Sequence, residues 1–494
     1  MNKTGVFIVM LLIVIGGAGW FFAENMPQRG APMTGGGMNP PSDNTNTQSS
    51  SAEEKALPIP PLLEDKNPEQ GKAEFDLIAQ EGTTEFFNGK ESDTYGYNGN
   101  YLGPVIRVRN GDDVKVNVKN ELSDATTVHW HGLEVDGTED GGPHSGIESG
   151  ETWDPEFPIE QPAATLWYHP HLLHKTGEQV YKGLAGMFII EDDISDSLNI
   201  PKEYGENDIP LIVQDKQFSS DGTFEYNLNR HDIMMGLQGD TVLVNGAVNP
   251  YLEVPQGKVR LRVLNGSNAR TYNFKLSNDQ KFHQIASDGG FLEQPAEMTN
   301  VVLSSAERAE IIVDFSEFEE GDTLELTDQG TPFMSFRVTG EEGHQADLPG
   351  QLTTIEEINP SEAVRTREFV FQGMGRNVNI NGKQMDINRI DEVISLNETE
   401  IWEITNEAGG MMGGMGGNGG MIHPFHAHGV QFQVLDRDGN PPPPNETGWK
   451  DTILVSPGEK VRVIATFEHP GVFMYHCHIL EHEDAGMMGQ FEVE

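Results

Sequence analysis

Cysteine is almost missing from this chain: one residue, Cys477, in 494. A single cysteine cannot close an internal disulfide, so a stapled secreted scaffold is excluded and Cys477 acts as a thiol or thiolate. Positive charge is also scarce, with 32 Lys and Arg against 78 Asp and Glu and a net charge of −46. Nucleic acids are bound by clustered Lys and Arg that displace counterions, so this chain repels phosphate and no nucleic-acid partner is expected. No long 3.6-residue periodicity follows the N-terminus, which excludes a helical bundle. What remains is 36% hydrophobic, enough for large cores, with 56 glycines and 29 prolines that suit short strands and turns.

The first 25 residues stand apart. Lys3 precedes an uncharged run that ends at Ala23, and the first acid is Glu24. The run is long for a signal-peptide core and just sufficient to cross a bilayer. Gly16 and Ala18 offer a small-x-small cleavage site, whereas Trp20, Phe21 and Phe22 read as an interfacial belt. Residues 1–25 are therefore expected to be a signal peptide or a membrane anchor. The protein is expected to be exported: anchored to the outer face of the cytoplasmic membrane, or secreted or periplasmic. Membrane contact is expected only through this segment, and with no cysteine there a lipoprotein is excluded. Residues 26–56, rich in Pro, Gly, Ser, Asn and Thr, read as a flexible linker.

Three segments alternate apolar and polar residues and end in asparagine: Val114 to Asn120, Val259 to Asn265 and Glu400 to Asn406. Period-two alternation is the mark of a strand with one face in a core. The near-even spacing of the three asparagines divides the folded part into 57–198, 199–350 and 351–494. Further strand-like runs occur at Gly186 to Ile190, Glu310 to Phe315, Lys460 to Thr466 and Gln490 to Val493. An all-β chain of three tandem sandwiches is expected.

Chemistry-bearing residues follow the first and third repeats only. After Asn120 come His129-Trp-His131 and His169-Pro-His171. After Asn406 come His423-Pro-Phe-His426-Ala-His428 and His476-Cys-His478-Ile-Leu-Glu-His482. After Asn265 the chain reads GSNARTYNF, without histidine, so the second domain reads as a spacer. On a strand, residues i and i+2 share a face. Each His-x-His thus gives two imidazoles to one site, and four such pairs give eight. In His476-Cys477-His478 the imidazoles face one way and the thiolate the other, so one strand touches two metal sites. Imidazoles suit Cu, Zn, Fe or Ni, and a thiolate with two histidines and a weak methionine is the blue-copper set. That second site closes with His423, His482 and Met487. A structural zinc site needs only four ligands.

These stretches resemble the multicopper oxidases, and among them the bacterial three-domain laccases and copper-efflux oxidases. The resemblance spans about residues 60–494 and rests on HWHGLEVDGTEDGGPHSG, QPAATLWYHPH, KTGEQVYKGLAGMFIIED, MIHPFHAHGVQFQVL, GWKDTILV and HCHILEHEDAGMM. It implies three cupredoxin-like Greek-key sandwiches and four copper ions. A type 1 copper is implied on His423, Cys477, His482 and axial Met487, and a type 2 copper on His129 and His426. A type 3 pair is implied on His131, His169, His171, His428, His476 and His478. Single electrons from a reductant then enter at the type 1 site and pass through Cys477 to its flanking histidines, and dioxygen is reduced to two waters. An axial methionine implies a type 1 potential in the lower part of the family range. By position in the family, Asp140 in EDGGP and Glu483 after His482 are implied as proton donors, and Asp451 in GWKD as a residue near the type 1 site. His144, His174, His231, His283, His344 and His469 lie outside the motifs and read as ordinary.

The reductant is less defined. Copper-efflux members carry a methionine-rich insertion in the third domain, but Gly340 to Gly382 holds only Met374 here. Instead, Met411, Met412, Met415 and Met421 sit in a glycine run just before His423. Soft thioethers there suit Cu(I), and an open glycine loop also leaves room for bulky phenols. A laccase-like oxidase of phenols and aromatic amines is the leading expectation, with a cuprous oxidase protecting the envelope as the alternative. Ferrous or manganous oxidation stays open. Copper storage, electron carriage without turnover and copper nitrite reduction are disfavoured, since none needs eight cluster imidazoles wired to a blue site in one chain. A monomer is expected. The strong acidity reads as a solvated surface that attracts cations and repels anionic substrates.

Overall fold

A computed structural model describes residues 55–407 and 420–494. The N-terminal segment, all but the end of the linker, and Met411, Met412 and Met415 lie outside the described residues. The described chain is built from strands in three successive two-sheet sandwiches. In the first, one sheet contains Lys72–Phe87, Lys90–Tyr97, Asp113–Asn120, Thr152–Trp153 and Glu156–Pro158. The other runs Ile106–Arg109, Gly186–Glu191, Ala164–His169, His129–His131. The second pairs a seven-stranded with a five-stranded sheet, and the third two five-stranded sheets. Each encloses its own apolar core.

The repeat is visible in the register. Asp113–Asn120 pairs in parallel with Lys72–Phe87, Lys258–Asn265 with Asp208–Lys216, and Thr399–Asn406 with Arg365–Gln372. Alternation explains the strands: Val114, Val116 and Val118 are fully buried while Lys115 and Asn117 turn outward. The closing asparagines are buried and do the same work three times. The Asn120 amide donates to the carbonyls of Asp124 and Ile147, that of Asn265 to Arg270 and Leu303, and that of Asn406 to Met421 and Val455. Each ties the end of its strand to the chain that follows, which satisfies buried carbonyls at an otherwise unpaired sheet end.

Helices are short. The longest described, Thr176–Lys182, spans seven residues, and no described helix is long and apolar enough to cross a membrane. At the start of the described chain, Leu57 joins the second core rather than the first, because its amide donates to the Tyr251 carbonyl at 2.7 Å.

Candidate metal centres

The motifs of the first and third sandwiches meet because each lies at a strand end. His129–His131 pairs antiparallel with Ala164–His169, setting His129 opposite His169. In the third sandwich, His423–Ala427 runs beside Gly471–Cys477, with Phe425 opposite Cys477 and His426 opposite His476. His171 and His478 lie just beyond their strands, so strand alternation alone does not aim them. Hydrogen bonds hold these two: the His171 amide donates to Thr127 Oγ1 (2.6 Å) and the His478 amide to the Pro424 carbonyl (2.8 Å).

The eight imidazoles gather in three groups, two of which share His131: His131, His169 and His478; His171, His428 and His476; and His129, His131 and His426. All are buried, at 1% exposure or less. Seven of them turn Nδ1 toward an oxygen. His129, His169, His426 and His476 donate to the carbonyls of Asp140, Pro170, Asp451 and Cys477. His428 donates to Asp140 Oδ2 at 2.8 Å, His171 faces Glu483 Oε1, and His478 faces Ser305 Oγ. A neutral imidazole has one N–H, so the inward Nε2 atoms carry lone pairs. The Nε2 atoms of His129, His426 and His478 have no protein partner, and that of His476 lies 3.1 Å from His171 Nε2 and 3.2 Å from His428 Nε2. Burial, reinforced by neighbouring imidazoles, holds His131, His169, His171, His426 and His476 well below their usual pKa. Converging neutral lone pairs are what a set of metal ions requires.

A second centre lies on the other side of Cys477. Its Sγ is 3.3 Å from His423 Nδ1 and 3.8 Å from His482 Nδ1. Met487 is fully buried in the same core, its amide bonded to the His482 carbonyl at 2.8 Å. Burial pushes the Cys477 thiol up, so without a cation beside it the sulfur stays protonated. The outer edge of His482 is capped, with Nε2 donating to the Met234 carbonyl at 3.1 Å. Met421 is half-buried and packs against the third core.

The acids fall into distinct places. Asp140 touches His428 and lies 3.4 Å from His129 Nδ1; burial opposes its charge, but the two histidines hold it well below the usual carboxylate range. Glu483 Oε2 is 3.3 Å from His476 Nδ1, and burial holds its carboxyl well above that range. Asp451, expected near the centre of His423, Cys477 and His482, lies elsewhere. In the pairing of His423–Ala427 with Thr452–Val455, His423 faces Val455 and His426 faces Thr452. Asp451 therefore lies at the far end, fully buried, with Oδ1 3.0 Å from His131 Nε2. It has no exposed edge to offer a reductant.

The second sandwich is also more than a spacer. It supplies Ser305 to His478, the Met234 carbonyl to His482, and Arg308, which ion-pairs with Asp451. No motif announced these. The available signal was Arg308 and Glu310 alternating with Ala309 and Ile311 on one strand, charges on a face that the fold buries. The six remaining histidines enter none of the metal-like groups among the described residues.

Three family models described as multicopper oxidase match residues 79–195, 212–322 and 353–494. A multicopper oxidase of Staphylococcus aureus is 44% identical over 444 residues, covering 90% of this chain and 94% of that protein. The cell division protein FtsP of Escherichia coli is 36% identical over 467 residues, covering 90% and 94%. The crystal structure of a laccase from Pediococcus acidilactici superposes with a TM-score of 0.85 at 40% identity, covering 90% of this chain and 94% of that one. Imidazoles and a thiolate in this arrangement fit copper. With the fold, the sequence models and the histidine groups in agreement, this chain belongs to the multicopper oxidase family.

Proposed function

We propose that this oxidoreductase is laccase-like, oxidising phenols and aromatic amines one electron at a time and reducing dioxygen to two waters. Its four coppers comprise a type 1 ion on His423, Cys477, His482 and Met487 and a type 2 ion on His129 and His426. A type 3 pair takes His131, His169, His171, His428, His476 and His478. The observation that carries the reading is Cys477: its Sγ turns to His423 while its chain neighbours His476 and His478 enter two different histidine groups. When bound, the coppers supply one-electron oxidation of the reductant and reduction of oxygen.

The chain supplies the path, the protons and the orientation. Cys477 joins the two centres through a few covalent bonds. Glu483, kept protonated by burial, holds a proton beside His171 and His476. Asp140, kept ionised, accepts and passes protons while orienting His428. His482 is fully buried and its outer edge is capped by the Met234 carbonyl, so the reductant reaches this centre through partly exposed Met234, where the long methionine insertion of efflux members is lacking.

A cuprous oxidase is the second reading. Half-buried Met234 and Met235 and the half-exposed Met374 lie on adjoining segments near His482, and their sulfurs are soft. Steady-state oxidation of a neutral phenol with and without added copper, beside direct Cu(I) oxidation under air, separates the two. Phenol turnover without added copper supports the laccase reading; good Cu(I) turnover with phenol oxidised only when copper is added overturns it. Export through residues 1–25 and a monomeric state complete the proposal. An uncleaved cytoplasmic product or an oligomer in solution would overturn these parts.

A further inference from the structure

Arg308 is wholly buried at the start of the strand Arg308–Asp314, in the sandwich that holds no copper motif. A guanidinium has five N–H donors, and here each has an acceptor. Nε donates to the Thr165 carbonyl (3.0 Å). Nη1 donates to the Ala306 carbonyl (3.2 Å) and Asp451 Oδ1 (2.7 Å), and Nη2 to the Asp288 carbonyl (2.9 Å) and Asp451 Oδ2 (2.6 Å). The Asp451 carboxylate is equally saturated. Besides the two-pronged arginine it accepts from Gln431 Nε2 at 3.0 Å, Thr452 Oγ1 at 2.9 Å and His131 Nε2 at 3.0 Å. Both groups are thus fixed in position and orientation.

The consequence falls on His131. Six of its seven companions bond an oxygen through Nδ1, the seventh, His171, points Nδ1 at Glu483 Oε1 from 3.6 Å, and all seven turn Nε2 inward. His131 alone is reversed: Nε2 meets Asp451, and Nδ1 lies 3.4 Å from His169 Nε2. The backbone makes room for this. Gly132 has φ +93°, and a Cβ there would lie 2.6 Å from Asp451 Oδ2 and 2.9 Å from Arg308 Nη2. The His131 ring is also stacked on His426 at 3.7 Å, so its plane cannot turn freely.

We propose that Arg308 and Asp451 are a positioning pair that fixes His131 with its proton on Nε2, so that Nδ1 is the atom offered to the metal. The second sandwich thereby becomes part of the oxygen-reducing centre. Outer hydrogen bonds of this kind set the tautomer of metal-binding histidines, and their loss costs about 10–100-fold in metal affinity. The inference rests on the reading of the eight histidines as a copper cluster.

The test uses the copper-loaded protein and its copper-free form, in wild type, Arg308→Met, Arg308→Lys and Gln431→Leu. Copper retained against a chelator is measured per chain. The histidine tautomer is read by nitrogen NMR of the copper-free protein, with the His131 signal assigned by its loss in His131→Gln. Blue absorption reports that the third sandwich is folded. Arg308→Met is expected to keep the blue colour, to lose cluster copper about tenfold or more faster, and to lose the Nε2–H signature of His131. Arg308→Lys, which keeps the charge but not the fork, should fall between. A blue Arg308→Met protein that keeps both its cluster copper and the His131 signature overturns the proposal. If that variant does not fold, Gln431→Leu, which removes one donor to Asp451, must shift copper retention the same way by less; unchanged retention there overturns it too. A wild-type protein that binds copper only at the blue site instead refutes the cluster reading itself.

Discussion

Asp140 and His428 are 288 positions apart in the chain, yet Oδ2 of one accepts from Nδ1 of the other at 2.8 Å across the junction of the first and third sandwiches. The aspartate also receives the ring of His129, from its own sandwich, at 3.4 Å. One aspartate thus orients an imidazole from each side of the cluster, His428 through its carboxylate and His129 through its carbonyl. It is a contact that neither sandwich makes alone.

Asp140→Asn is expected to keep its copper and its blue colour while turnover falls about 10–100-fold. Wild-type Asp140 is held ionised by His428 and His129, and the amide replaces a proton-accepting carboxylate with a group that cannot titrate. The deficit should widen as pH rises, because bulk protons then compensate less for the missing relay. Turnover measured across pH checks this, and a constant ratio to wild type would leave Asp140 with orientation only.

Cys477→Ser should abolish the blue absorption and bring oxidase activity to background, while the type 2 EPR signal stays. The chain has no other cysteine to take the place of the sulfur. Blue colour surviving in this variant would refute the type 1 assignment.

Copper-free protein should melt at lower temperature as pH falls from above 6.5 toward 4. Burial depresses His428 and His482 to about 4 and His478 to about 3, and six more buried histidines move the same way. Their folded pKa lies below the unfolded 6.5, so the unfolded chain binds more protons in this window and stability rises with pH. Glu134 and Asp484, raised to about 7, and Glu483 act in the opposite sense between about 4.5 and 7, but they are outnumbered. Calorimetry of the copper-free form at about pH 5 and about pH 7.5 decides; equal or reversed melting temperatures contradict the balance.

Serine at Met411, Met412, Met415 and Met421 removes four soft sulfurs and leaves the type 1 ligands untouched. If these methionines receive Cu(I), cuprous oxidation should drop about tenfold or more and copper stimulation of phenol oxidation should vanish. Phenol turnover without added copper should change by less than about twofold. Both activities staying in their original ratio would remove the loop from the cuprous reading.

Much of this was legible in the sequence because it is local. Alternating valines and a terminal asparagine mark each repeat strand, and His-x-His spacing marks each ligand pair. Contacts made only by packing were not legible. Arg308 sits among Ala309, Glu310 and Ile311 like any strand charge, and only burial against the first and third sandwiches joins it to Asp451. The place of Asp451 was not legible because likeness of motif position does not give strand register. Strand register then carried it to the opposite end of the sheet from His423. The capping of His482 by Met234 depends on the fold of a short helix, Arg230–Met235, that no ligand motif flags.

The cluster draws on His129 to His171 and on His426 to His478, with the whole second sandwich between them. A chain emerges from the ribosome N-terminus first, so four of the eight imidazoles are made long before their counterparts exist. During that interval the first sandwich presents only half of the site. The set of eight is therefore complete only after His478 has been made and folded back.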